Sequence, residues 1–286
     1  MTALRPTSPA TPLAVPLAQR PWGLYLALAF VAVLAVAAIA PGLLATADPY
    51  ALNYGASLQA PSWAHWFGTD ESGRDLYSRV VHGTGTSLLI GLGAAGVGIA
   101  LALVLGGIAA LAPRWIAVPV DRFLEVLFAF PALLLALLLI AITGPSAGTA
   151  IFAVGLGTAP GYARMVRGQI LAAKGSAYVE AATALGHSRG RIVRAHILPN
   201  ALRPLVAVFA LSVGQSIVWA SSLSFLGLGV APPSPEWGAM LDAGRAYVTV
   251  AGWLILVPGF VIVAVALAAT TLGRHLQAHL EKEEQR

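Results

Sequence analysis

Six apolar runs, each close to twenty residues and almost free of charge, constrain this chain more than any other feature. They cover residues 22–44, 87–111, 123–142, 149–165, 204–223 and 251–272. A helix rises about 1.5 Å per residue, so roughly 17 to 25 apolar residues match the ~30 Å hydrocarbon core of a bilayer. Only 10% of the 286 residues are charged and 58% are hydrophobic. Soluble domains carry about 25% charge. The expected fold is therefore an all-α integral membrane protein with six transmembrane helices.

Charge sets the expected orientation. The net charge of +5 invites a nucleic-acid reading. The cations sit between apolar spans, however, as they do in the inner loops of membrane proteins. The loop at 45–83 carries Asp48, Asp70, Glu71, Arg74, Asp75 and Arg79, with Tyr50, Tyr54, Trp63 and Trp66 among them. It is net negative and is expected outside. Between Tyr162 and Arg203 stand Arg164, Arg167, Lys174, Arg189, Arg191 and Arg194 against the single acid Glu180. That stretch is expected in the cytoplasm with both termini. The first run is longer than the ~7–15 apolar residues of a secretory signal, so it reads as an uncleaved span despite Ala45-Thr46-Ala47. The chain divides into a positively charged, disordered tail (1–21), a first helix with its outer loop (22–83), a core of five spans (84–275) and a cytoplasmic tail (276–286).

Several chemistries are excluded by residue type. There is no cysteine, hence no disulfide, thiolate metal site or cysteine nucleophile. Gly91-Leu92-Gly93-Ala94-Ala95-Gly96 matches a dinucleotide fingerprint but lies inside an apolar run with no strand before it, so its glycines are expected to let helices approach closely. Lys174 and Lys282 are the only lysines, and neither follows a phosphate-binding glycine loop. His65 and His82 stand alone, without the close ligand spacing of a metal site. No catalytic residue, metal site or cofactor is expected on this chain.

The basic stretch is patterned as a turn of helices. Ser176 is placed to cap a helix starting at Ala177, with Glu180 in its first turn, where the helix dipole favours an anion. Tyr178, Ala181, Ala182 and Leu185 recur at i, i+3, i+4 and i+7, one apolar stripe. Gly186 is the natural residue to end such a helix in the left-handed conformation. Ser188 can cap a second helix that leads into span five, near whose start Pro199 sits. Physics alone leaves this element open between an interfacial helix and a docking knuckle for a soluble partner. On span five, Ser212, Gln215, Ser216, Trp219 and Ser222 share about a third of the helix circumference at 100° per residue. Such a stripe either lines a path or binds neighbouring helices. Pro131 is expected to kink span three, and Gly155, Gly157, Pro160 and Gly161 to loosen span four.

Glu180-Ala181-Ala182, then Gly186, then Leu198-Pro199 resembles the EAA signature of ABC importer permeases, with His196 standing where that signature has isoleucine. Phe67-Gly68-Thr69-Asp70, Gly73-Arg74-Asp75, Phe130-Pro131, Pro160-Gly161-Tyr162-Ala163-Arg164 and Leu223-Ser224-Phe225-Leu226-Gly227-Leu228-Gly229 extend the likeness over about residues 22–275. The chain resembles the C-type permease subunit of the dipeptide, oligopeptide and nickel importers. That resemblance implies a type I ABC importer permease fold whose cytoplasmic coupling helix (Tyr178, Glu180, Ala181, Ala182, Leu185 and Gly186, within the loop 168–203) docks on an ATPase. It implies a bacterial inner (plasma) membrane, a homologous B-type permease, two ATP-binding subunits that hold ATP and magnesium, and a periplasmic or lipid-anchored substrate-binding protein. Cargo stays open among dipeptides, longer peptides, glutathione, nickel chelates and opines. The competing class is an ion-gradient-driven transporter or channel, which usually carries intramembrane acids or inverted repeats; neither is visible here.

Overall fold

The computed structural model describes residues 21–284. The expected charged tail therefore lies almost wholly outside the described residues. Ten α-helices are described: α1 (Pro21–Ile39), α2 (Leu76–Leu111), α3 (Arg114–Ala129), α4 (Ala132–Thr143), α5 (Ala147–Lys174), α6 (Ala177–Ala184), α7 (Arg189–Ile192), α8 (Leu198–Phe225), α9 (Trp237–Arg245) and α10 (Trp253–Glu284). A π-helical turn, Val193–Ile197, joins α7 to α8 without a break.

The helices α2, α5, α8 and α10 form the body. Along α2, Ala94 and Gly98 lie against Gly155, and Gly106 lies against Ala163 and Val166 of α5. The contacts advance together, so the two helices run parallel. In turn α8 runs antiparallel to α2, with Gly91 against Ile217, and α10 antiparallel to α8, with Gly214 against Ala266 and Gly273 against Leu211. Each of these glycines removes a side chain where another helix passes, which is how helices gain contact in lipid. The fingerprint-like glycines are accordingly helical: Gly91 and Gly93 meet Ile217 and Ile151, while Gly96 meets nothing within 4 Å.

The span reading needs correction in four places. First, α2 begins at Leu76, not Ser87, because Asp75 caps it by accepting the Ser78 amide (2.9 Å). Second, span three is not one kinked helix: α3 and α4 meet at 93° across Phe130-Pro131. Third, α5 extends to Lys174 in place of Met165. Among the described residues, four helices are long and apolar enough to cross a membrane, five with the bent pair, where six spans were expected. The sixth, α5, has the length at 28 residues but not the apolarity, since it carries Gly155, Gly157, Pro160, Gly161, Arg164 and Arg167. It runs beside α2 over the same depth, with Gly155, Ala159, Pro160 and Ala163 buried in the bundle while Gly161 and Arg164 are exposed. Fourth, α9 occupies the loop after span five, and α10 continues through the expected tail to Glu284.

The end of the bundle bearing residues 45–75 and α9 is locked by buried charge. Asp70 accepts from Arg74 Nε (2.6 Å) and from the amides of Ser72 and Arg74 (2.9 Å each), and Arg79 Nε stands 3.5 Å away. The Arg79 guanidinium also donates to the carbonyls of Pro49 and Pro233 (3.1 and 3.4 Å), tying two distant loops to α2. His65 Nδ1 pairs with Asp75 (3.0 Å), and His82 Nδ1 lies 2.9 Å from the Ser78 carbonyl. Trp237, fully buried, donates from its indole to the Val80 carbonyl, and buried Glu236 caps α9 by accepting the Gly238 and Ala239 amides.

Removing one partner of a buried pair costs about 3–5 kcal/mol, against at most ~1 for an exposed one. Asp70→Asn is therefore expected to lower the stability of the purified protein by about 3 kcal/mol. Glu71→Gln, whose bond to Arg74 is part-exposed, should cost under ~1 kcal/mol. Denaturant titration in detergent, followed by tryptophan fluorescence, checks both.

Candidate functional site

The helix α6 hangs between α5 and α8 at the opposite end of the bundle. The chain leaves α5 at Gly175, whose amide bonds the Leu171 and Ala172 carbonyls. Ser176 occupies the cap position as expected, and α6 starts at Ala177. Its hydroxyl does not cap, however: it donates back to Ala173 O (2.6 Å). The first turn instead uses the Ser176 carbonyl, which accepts from the Val179 and Glu180 amides.

The far end of α6 follows the left-handed expectation. Gly186 has φ +76°. The His187 amide reaches the Ala182 carbonyl (3.1 Å) and the Gly186 amide reaches the Thr183 carbonyl (3.0 Å), the paired bonds of a Schellman stop. These satisfy carbonyls that a helix end otherwise leaves open.

The expected apolar stripe splits into two faces. Val179 and Ala182 are buried against Ile170, Ala173, Ile192 and Ile197. Tyr178, Ala181 and Leu185 face outward, Leu185 with 76% of its surface exposed, and Glu180 is exposed beside them. Ala182 thus anchors the helix rather than presenting a surface, and Val179, absent from the sequence reading, anchors it too. The signal was available in Val179, Ala182 and Gly186 at i, i+3 and i+7. The stripe chosen ran through the opposite face because Tyr178 and Leu185 are larger.

After the stop, Ser188 precedes α7 without a side-chain cap, and the backbone widens into the π turn. Pro199 accounts for this. It has no amide to give the Ala195 carbonyl and its ring crowds that position, so an i to i+5 pattern relieves the clash, as the Leu198 amide bonding Val193 O shows. The Asn200 side chain donates to the His196 carbonyl (2.7 Å). The rings of His187 and His196 stack at 6.0 Å and 16°, with His187 Nδ1 buried and unpartnered.

A second feature lies further along the same helices, where the bent pair breaks. A groove of about 310 Å³ is lined by Phe128 and Phe130 of α3 and its end, Thr158 and Tyr162 of α5, and Gln215 and Trp219 of α8. The Tyr162 hydroxyl donates to Gln215 Oε1 (3.0 Å), and Arg164 sits over the Phe128 ring at 3.8 Å. Asp121 pairs with Arg167 at 3.1 Å, so α3 is tied to the part of α5 that leads into the turn.

Of the five polar residues expected along one stripe, Gln215 and Trp219 line this groove. Ser212 and Ser216 are buried in the helix packing, and Ser222 bonds its own helix at the Val218 carbonyl (2.8 Å). Ser212 Oγ likewise donates to Phe209 O (2.8 Å). A third of a circumference is wider than the strip of α8 the groove exposes, so Ser212 and Ser216 fall to helix packing. Tyr162, Thr158 and the two phenylalanines were missed. The pointer was Phe130-Pro131 in one span and Pro160-Gly161 in the next, two interruptions that meet at one level.

Gly186→Val places a β-branched residue at positive φ, which costs about 1–2 kcal/mol, and should loosen both closing bonds. Amide exchange at residues 182–187 is expected to quicken at least fivefold. Gly186→Asn, whose side chain tolerates this conformation, should stay within about twofold of the parent protein. Hydrogen–deuterium exchange by mass spectrometry reads both.

Comparison with known proteins bears on this arrangement. The family described as "Binding-protein-dependent transport system inner membrane component" matches residues 98–283. The dipeptide transport system permease protein DppC of Alkalihalophilus pseudofirmus is 39% identical over 86% of this chain and 81% of its own length. The glutathione transport system permease protein GsiD of Pectobacterium atrosepticum is 40% identical over 78% and 74%. The probable D,D-dipeptide permease DdpC of Escherichia coli is 39% identical over 80% and 77%. Among solved structures, an amino acid ABC transporter aligns with TM-score 0.57 at 18% identity, covering 72% of this chain and 94% of its own. The inward-facing MetNI methionine transporter aligns at 0.54 and 20% identity, covering 69% and 96%. These last two establish the fold.

Proposed function

Because this chain belongs to the binding-protein-dependent transport system inner membrane components, the permease subunits of ABC importers, we propose that it is the C-type subunit of a short-peptide importer. Its partners in this reading are a homologous B-type permease, two ATP-binding subunits and a substrate-binding protein. The named relatives carry dipeptides, D,D-dipeptides and glutathione; a short peptide is their common chemistry. ATP and magnesium are held by the partner ATPases, since the chain has no phosphate-binding loop. The termini and α6 lie in the cytoplasm and residues 45–75 outside, as the positive-inside rule requires.

One observation carries the mechanism: α6 is anchored on one face by Val179 and Ala182, open on the other at Tyr178, Ala181 and Leu185, and joined to α5 through Gly175-Ser176 and to α8 through α7 and the π turn. The open face with Glu180 is the ATPase-docking surface, and Gly186 holds its geometry. A displacement of α6 is delivered to two helices at once. Those helices meet again at the Tyr162–Gln215 bond beside Trp219, where we place the cargo path. No charged side chain lines that groove, so cargo is held weakly there and selection rests with the binding protein.

Two experiments test this. Leu185→Asp in the assembled importer should cut peptide uptake at least tenfold and weaken co-purification of the ATPases; unchanged uptake refutes the docking surface. Single cysteines at Trp63 and at Leu185, in a chain with no other cysteine, should react with an impermeant maleimide from opposite sides of the membrane. Labelling from the same side refutes the orientation.

A further inference from the structure

The loop that follows α8 closes over a polar cavity, apart from the groove at Tyr162 and from the α6 turn. It measures about 120 Å³, well above the ~10–15 Å³ that admits a single water. Three segments wall it: Pro145 of the α4–α5 turn, Ser224 with the loop from Gly227 to Pro232, and Ala239 and Asp242 of α9. It lies at the end of the bundle locked by Glu236 and Arg79, the end assigned to the outside. Along α8, Ser224 stands nine residues beyond Gln215, about 14 Å.

The lining has a definite sign. Asp242 is the one charged residue in it. Its Oδ1 stands 3.5 Å from Arg245 Nη2, on a side chain that is more than half exposed and takes no part in the lining. Its Oδ2 lies toward Gly227, 3.8 Å from where a Cβ on that glycine would stand. Arg245 is the only partner of this carboxylate among the described residues. Ser224 is 3% exposed and lines the same cavity. Its hydroxyl makes no hydrogen bond among the described residues, and it is pressed against the loop, where a Cβ on Gly229 would collide with it. A buried hydroxyl ordinarily has a partner, and the cavity is where this one has room for it. The carbonyls of Gly227, Gly229 and Val230 accept no backbone bond, and the amides of Gly229 and Val230 donate none. The backbone thus adds donors and acceptors without adding charge.

A cavity whose only charge is a carboxylate favours a cation. Calcium asks for roughly six to eight oxygens and structural zinc for imidazoles or thiolates, which one carboxylate and one hydroxyl do not supply. A primary ammonium carries one charge and three donors, a match for Asp242 Oδ2, Ser224 Oγ and a loop carbonyl. We propose that this cavity receives the α-ammonium group of an incoming peptide, with Asp242 as counter-charge and Ser224 as second acceptor. The inference rests on the short-peptide reading and deepens it. Every unblocked short peptide carries this group, so the contact takes them all alike and leaves selection among them to the binding protein. An extended dipeptide spans about 7 Å and a tripeptide about 11 Å. Cargo held here by its amino end therefore stops short of the Tyr162–Gln215 bond, and the cavity is a site ahead of the path.

The test is photolabelling of the assembled permeases and ATPases in nanodiscs with glycyl-photoleucine, a dipeptide bearing a diazirine in its second side chain, with the labelled peptides mapped by mass spectrometry. Labelling within residues 225–245 is expected to exceed that of the exposed segment 134–138 of α4 at least fivefold. Excess glycylglycine should lower it at least fivefold, and N-acetylglycylglycine, which has no ammonium, should leave it within twofold. Asp242→Asn should lower it at least fivefold and Ser224→Ala about threefold, with co-purification of the partner subunits unchanged. The two competitors decide the matter if neither variant assembles. Uptake of unblocked dipeptides by the parent importer is measured alongside. Uptake without amine-dependent labelling overturns this inference and leaves the importer reading standing. Amine-dependent labelling without uptake overturns the importer reading and keeps the site, and absence of both overturns both. Labelling that N-acetylglycylglycine removes equally well, or a carbodiimide cross-link from Asp242 to a lysine of the binding protein, would also overturn the inference.

Discussion

A helix in a bilayer gains nothing by hiding leucine from lipid, so the contact between α2 and α5 has to come from close approach. Gly98, Gly106 and Gly155 provide it, and a Cβ on any of them would collide with the facing helix. The rest of the architecture depends on this contact. It fixes α5 parallel to α2, and the intervening chain must therefore return through the bundle as α3 and α4. It also buries Gly155, Pro160 and Ala163 of α5 within the bundle.

The two ends of the bundle are built by different physics. At the end bearing α9, buried charges are fully matched: Asp70 with two arginines, Arg79 with two carbonyls from distant loops, Glu236 with two amides. Such networks fix a geometry but tolerate little deformation. At the α6 end the contacts are smaller, a two-residue anchor and a pair of backbone bonds around a left-handed glycine. Between the two, the break at Phe130-Pro131 lies beside Pro160 of α5. An interrupted helix bends where its hydrogen bonds are missing, so under the proposed coupling the middle of the bundle is where a displacement of α6 is taken up.

Much of the local structure was legible from residue types. Gly186 ends a helix because left-handed backbone suits glycine, and Ser176 precedes one, though its hydroxyl bonds backward to Ala173. Pro131 marks the right place in span three, though it breaks the helix rather than kinking it. The misreadings have a common cause. Hydropathy treats each run as if it faced lipid, so it missed the first eleven residues of α2, whose Ser78 and Arg79 are covered by loops, and it ended α5 too early. The serines of α8 show the same limit: periodicity gives a face, and only the neighbours decide what covers it.

The sequence by itself determined that the chain is helical and embedded in a membrane, and that a short helix with a glycine stop interrupts it between α5 and α8, because length, charge and left-handed backbone are properties of a few consecutive residues. Tertiary structure alone decided that Val179 and Ala182 point inward, that Gln215 meets Tyr162 while Ser216 meets no partner, and that α3 and α4 part at a near right angle. Those outcomes depend on which helix passes by and how closely, which no run of consecutive residues shows.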